Sequence, residues 1–257
     1  MNDHSKTTNR EGDKTMNTNR QSAIQEKKMK VTTPNLIRAA GLSAMVAGII
    51  FAAIQPIHPP DVLASVTTSA FIVITSFKTV MCIFGLFGVA GLYARQVKET
   101  GWLGLAGYLL LTIFYAVMMC YTFMEPLVLP LLAPVAPNFV TSALLIPSGA
   151  GGPMNLGALV TIYSLVSVLY LLGLLLFGIA IFRARILSRW AAVLLTLSGP
   201  LSVIMSLLPH QIARLAAMPM GFALAWLGLA LFFERRAPAS EPVSVKGSPL
   251  TSQTGSD

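Results

Sequence analysis

Apolar residues run along this chain in long blocks, not in the alternation of a strand or the stripe of a surface helix. No Lys, Arg, Asp or Glu occurs in 39–60, 101–124, 190–213 or 215–233, and the longest such block is 126–182. A helix crossing the hydrocarbon core takes roughly 20 mostly apolar residues, so each block is long enough. A membrane β-barrel would show short alternating strands instead. The pattern predicts an all-α membrane protein, a six-transmembrane-helix bundle with spans near 35–55, 67–94, 101–125, 155–183, 189–208 and 214–233. Flanking it are polar stretches: 1–33, expected as a disordered basic tail, and 237–257, expected as a disordered Pro/Ser tail. The transmembrane domain is placed at 34–236.

Composition agrees with this reading. Of the 257 residues, 54% are hydrophobic and 11% charged. A soluble domain carries roughly 25% charged residues and needs a polar exterior. The first apolar block is long, follows a polar stretch and lacks a small-residue cleavage site, so it is expected to stay as an anchor.

The net charge of +8 changes the picture only through its distribution. All eighteen Lys and Arg except Lys78 and Arg214 fall in the N-terminal region up to Arg38, in the loops after spans 2 and 4, or in the C-terminal flank from Arg235. Positive residues hold loops in the cytoplasm, so both termini are expected there, and no nucleic-acid role is needed to explain the charge. An extra crossing within the apolar segment 126–153 would put Arg183, Arg185 and Arg189 opposite Arg95 and Lys98. That segment also carries Pro126, Pro130, Pro134, Pro137, Pro147 and Pro153, which oppose a continuous helix. It is expected as a long outer loop, dipping into the interface or packing over the bundle.

Spans 2, 4 and 6 end alike, in LFGVAGLYAR, LFGIAIFRAR and WLGLALFFER, which aligns Gly88, Gly178 and Gly228. Three helical hairpins are one explanation. The other is convergence, because small residues let helices approach and Arg suits a cytoplasmic end.

Candidate chemistry is sparse. Lys78 lies well inside span 2, where a charge costs roughly 2.5–3.5 kcal/mol on insertion scales and is a functional candidate by default. Helix rise puts it ~22 Å from the cytoplasmic end, and Glu125 ~35 Å from that end on span 3, a gap of ~12 Å. Glu125 is the natural partner, and Asp61 is the rival; the bland alternative is a Lys78 that snorkels to the interface. A weaker outer-face cluster is His58, Asp61, His210 and Arg214 beside Glu125. Its ligand types suit zinc, yet no HExxH-type pair occurs, and Cys82 and Cys120 make no metal or disulfide pattern, so no metal or cofactor is assigned.

Residues 175–195, LLFGIAIFRARILSRWAAVLL, resemble a segment of small bacterial multi-pass integral membrane proteins of unknown function. Such proteins also show a Gly-rich opening of span 3 and a Pro-rich apolar outer loop. The resemblance spans 36–233 and implies a bacterial cytoplasmic membrane location, with no activity, ligand or catalytic residue attached. Three functions are expected in order. The first is a non-enzymatic protein that binds or transports a small or lipophilic solute. The second is a scaffold or regulator acting through the basic cytoplasmic tail, where Lys27, Lys28 and Lys30 adjoin the membrane. The third is an intramembrane enzyme. The lipid bilayer is the one partner all three share.

Overall fold

The structure, a computed structural model, describes residues 32–234, all of them in helices and connecting turns. The expected tails, apart from Thr32 and Thr33, lie outside the described residues, as does the Lys27–Lys28–Lys30 cluster. The helices are α1 (Thr33–Ile57), α2 (Leu63–Val66), α3 (Ser69–Arg95), α4 (Val97–Leu127), α5 (Leu129–Leu132), α6 (Pro137–Leu145), α7 (Ala158–Ala184), α8 (Arg189–Met205), α9 (His210–Ala213) and α10 (Met218–Phe233). Single 3₁₀ turns precede α7 at Ile146–Ser148 and α10 at Arg214–Ala217.

Among the described residues, five segments are long and apolar enough to cross a membrane: α1, α3, α4, α7, and α10 with its leading 3₁₀ turn. The protein is therefore a helical membrane protein with several spans. The remaining apolar helix, α8, has 17 residues. At 1.5 Å per residue it reaches ~26 Å, short of a hydrocarbon core of ~30 Å.

Local sequence explains the helix ends. Thr68 caps α3 by accepting from the Phe71 N–H, and Ser188 caps α8 by accepting from the Ala191 N–H. α4 begins earlier than the expected 101, with one turn over 97–100 that breaks at Gly101, whose φ of 56° only glycine adopts cheaply. Both α1 and α4 end one residue past a proline, Pro56 and Pro126, just beyond the expected span ends at 55 and 125.

The six long helices form a closed ring. Each packs on its neighbours in chain order, α1–α3–α4–α7–α8–α10, and α10 returns to make its largest contact with α1. Lipid offers no hydrophobic drive for such pairing, so close approach of small residues must supply it. The α1–α10 seam is built that way from Gly41 and Gly48 against Gly221 and Gly228. A methyl group on Gly48 would sit 2.4 Å from the Gly221 carbonyl oxygen, and one on Gly228 2.4 Å from the Met45 nitrogen. Inside the ring, Leu92, Leu111, Tyr115, Phe177, Leu195 and Leu227 belong to one buried cluster.

The three aligned glycines meet different neighbours. Gly88 rests on Ala44 of α1, the other arm of its own hairpin, and Gly228 also rests on α1. Gly178 rests on Thr196 of α8, the first arm of the next hairpin.

The segment expected as an outer loop is largely helical. Pro130, Pro137 and Pro147 stand in the first turns of α5, α6 and the following 3₁₀ turn, where a missing N–H costs nothing. These short helices fold over one end of the ring. Leu129, Val140, Ala143 and Leu144 bury themselves there with Val66 and Phe71. We call this lidded end outer and the end bearing Arg95 and Glu234 inner.

Candidate functional site

Beneath the lid the ring holds five polar side chains from four regions of the chain. Lys78 comes from the middle of α3, Glu125 from the last turn of α4, His58 and Asp61 from the link after α1, and Arg214 from the 3₁₀ turn before α10. Lys78 Nζ donates to Glu125 Oε1 at 2.7 Å and lies 2.5 Å from Oε2. The ~12 Å offset expected from helix rise is closed by the two extended side chains, one reaching outward and the other inward. The Glu125 side chain is 3% exposed and that of Lys78 17%, so the pair lies largely out of solvent.

His58 holds the next position. Its Nδ1 lies 2.7 Å from the Pro59 carbonyl oxygen, and its Nε2 lies 3.2 Å from Lys78 Nζ. A carbonyl only accepts and an ammonium only donates, so one assignment satisfies both contacts: Nδ1 carries the hydrogen and Nε2 accepts from Lys78. The neutral imidazole this requires agrees with its titration. Burial, reinforced by the positive charge of Lys78, lowers His58 from 6.5 to about 4 against the opposing pull of Asp61.

Asp61, the rival partner for Lys78, pairs instead with Arg214, whose Nη2 donates to Oδ2 at 2.6 Å. A second contact from Arg214 Nη1 to the His58 carbonyl measures 3.4 Å. The cluster thus contains two cations, two anions and a neutral imidazole. Of the expected site residues, the structure brings together Lys78, Glu125, His58, Asp61 and Arg214. The backbone of His210 belongs to α9, and its side chain is outside what the structure describes.

The cluster lines a cavity of about 220 Å³. Phe51, Met118, Tyr121, Tyr163 and Ala217 are also in its wall. Two further cavities share that wall. One, of about 390 Å³, lies between α4, α7 and α8 and has Phe51, Met118, Tyr163 and Ala217 in common with the first. The other, of about 530 Å³, is an almost wholly apolar groove between α4 and α7. Met118 and Tyr163 line all three. A tyrosine in an apolar span, such as Tyr163, can line a cavity or merely pack, and a methionine there carries no mark, so residue order alone does not single out this pair. Tyr121 and Tyr163 meet edge to face at 5.1 Å, and the Tyr121 hydroxyl donates to the Ala143 carbonyl of α6 at 2.7 Å, tying the lid to this wall.

This geometry bears on the enzyme reading. With Nδ1 on a carbonyl and Nε2 on an ammonium, His58 offers no lone pair for a metal or for proton abstraction. Among the described residues no three His, Cys, Asp or Glu side chains converge on one point. What the arrangement offers is hydrogen bonding and charge at the mouth of an apolar space.

No protein-family model, no curated protein and no solved structure matches the chain.

Proposed function

We propose that this protein is a six-span membrane protein, with both termini cytoplasmic, that binds a small lipophilic solute in the lidded cavity. The polar end of the solute rests on the Lys78–Glu125 pair and its apolar body in the adjoining space. One observation carries the reading: a buried cluster of two ion pairs and a neutral imidazole lies in the wall of a cavity bordered mostly by aromatic and aliphatic side chains. Ligand sites are of this kind, concave and mostly apolar with a few convergent polar groups, and measure ~300–1,000 Å³. The two cavities that share Phe51, Met118, Tyr163 and Ala217, about 220 and 390 Å³, together have that scale. Cytoplasmic termini are supported by the Lys/Arg distribution, which leaves Arg214 as the lone cation of the outer loops. The sixth crossing is α8, which pairs with α7 and α10 in the ring and spans with its short length because the bilayer thins around it.

The test is thermal stability of detergent-purified protein across a panel of lipids, alcohols and metabolites. The control is Lys78→Met combined with Glu125→Leu, which removes both charges together. A solute that raises the midpoint of the wild type and not of this variant supports the reading, since a ligand stabilises the state it binds. A solute panel that moves neither protein, or both equally, contradicts it.

A further inference from the structure

The halves of α7 differ in a way that bears on how a solute reaches this cavity. The inner half buries Gly173, Leu174, Phe177, Gly178, Ala180 and Ile181. In the outer half, from Ala158 to Leu172, the sole buried residue is Val166. Toward the lid α7 therefore keeps little of its surface covered by its neighbours. The 530 Å³ groove lies on the α4 side, lined by exposed Cys120 and Ile162 among others.

We infer that the groove between α4 and α7 is a lateral portal through which the solute passes from the bilayer into the charged cavity, with Met118 and Tyr163 as the door. This rests on the binding reading above and adds a route and a ligand class. The continuity is physical: Met118 and Tyr163 belong to the walls of the groove and of both inner cavities, so displacing them joins the three spaces. Beside them Tyr121 walls both the groove and the charged cavity, and its hydrogen bond to Ala143 fixes it as the frame. Met is flexible enough to swing aside without breaking a polar contact.

The groove's wall sets the class of traveller. It is apolar, so a hydrated or ionic solute gains nothing there. The cluster at the far end is already balanced, with Lys78 on Glu125 and Arg214 on Asp61. A net charge on the solute would be left uncompensated in a buried site. The ligand is therefore a neutral amphiphile with an oxygen-bearing head, an alcohol or carbonyl, and an apolar body.

The experiment uses full-length protein in phosphatidylcholine vesicles and two photoreactive diazirine alcohols. One is long-chained and dissolved in the bilayer, and the other is short-chained and added in water. Adducts are mapped by peptide mass spectrometry. Both probes should mark Phe51 or Met118 in the wild type. In Leu159→Trp/Ile162→Trp, which fills the groove from its lipid side, the long-chain probe should lose its adducts on Phe51 while the short-chain probe keeps them. Ile162 is exposed, so the fold tolerates the change, checked by an unaltered melting midpoint. Undiminished long-chain labelling of Phe51 in the blocked variant would overturn the portal and leave the binding reading standing. Absence of cavity adducts from either probe in the wild type would overturn both.

Discussion

The two ends of the ring are built on opposite principles. At the inner end, helices approach until backbone meets backbone, as Gly107 does against Phe177 and Gly178 against Thr196. An ion pair between Arg95 of α3 and Glu234 just past α10, with Arg95 Nε donating to Oε2 at 2.6 Å, closes that end. At the outer end α1 and α10 stay in backbone contact through Gly48 and Gly221, but the rest of the ring encloses Lys78, Glu125 and two cavities under a separately folded lid. The difference teaches where stability and function reside. Dense packing of small residues supplies the first, and it is suspended where a charged, hollow site replaces it.

The comparison breaks most sharply at the buried pair. Lys78→Met leaves Glu125 without its cation and should cost about 3–5 kcal/mol, read as a large drop in melting midpoint. Adding Glu125→Leu should restore most of the loss, because replacing both charges by apolar groups is often neutral. Next comes the seam between α1 and α10. Gly48→Leu forces a side chain into backbone at 2.4 Å and should cost about 1–3 kcal/mol or more, seen as loss of a monodisperse peak in detergent. Tyr121→Phe removes the tie from the cavity wall to the lid and should cost about 0.5–1.5 kcal/mol, with faster hydrogen exchange in α6 and unchanged exchange in inner α7.

The last effect is absent at neutral pH. His58 folded titrates at about 4 against 6.5 for the free side chain, so between those values the unfolded chain binds the extra proton. Stability is then full above 6.5 and declines as pH falls toward about 4, and His58→Gln should flatten that limb of the profile. A variant as steep as the wild type would assign the limb to another group.

Much of this was legible from residue order alone. A lysine in an apolar run must find a partner, and Glu125 was the carboxylate nearest in depth, so the pair was open to inference. The Asp61–Arg214 pair was not, because residues 153 apart in sequence meet only once α10 closes on α1. The glycines of α1 and α10 were visible as small residues, but which helix each would touch depended on the same closure. Prolines in 126–153 argued correctly against one long helix and hid several short ones, since a proline in a first turn opens a helix as readily as one elsewhere breaks it. Met118 carried no signal, and Tyr163 was only one of several span tyrosines open to cavity lining or plain packing, because the importance of both lies in which spaces they divide.

The most direct test places a cysteine at two depths of α4 after Cys82 and Cys120 are replaced by serine. Met118→Cys faces the cavities, and Leu111→Cys sits in the packed core at 1% exposure. A small water-soluble maleimide added outside should modify the first and not the second, and a bilayer-dissolved long-chain alcohol should protect the first. An inert Met118→Cys, or one that reacts equally with and without the alcohol, would contradict an outer binding cavity.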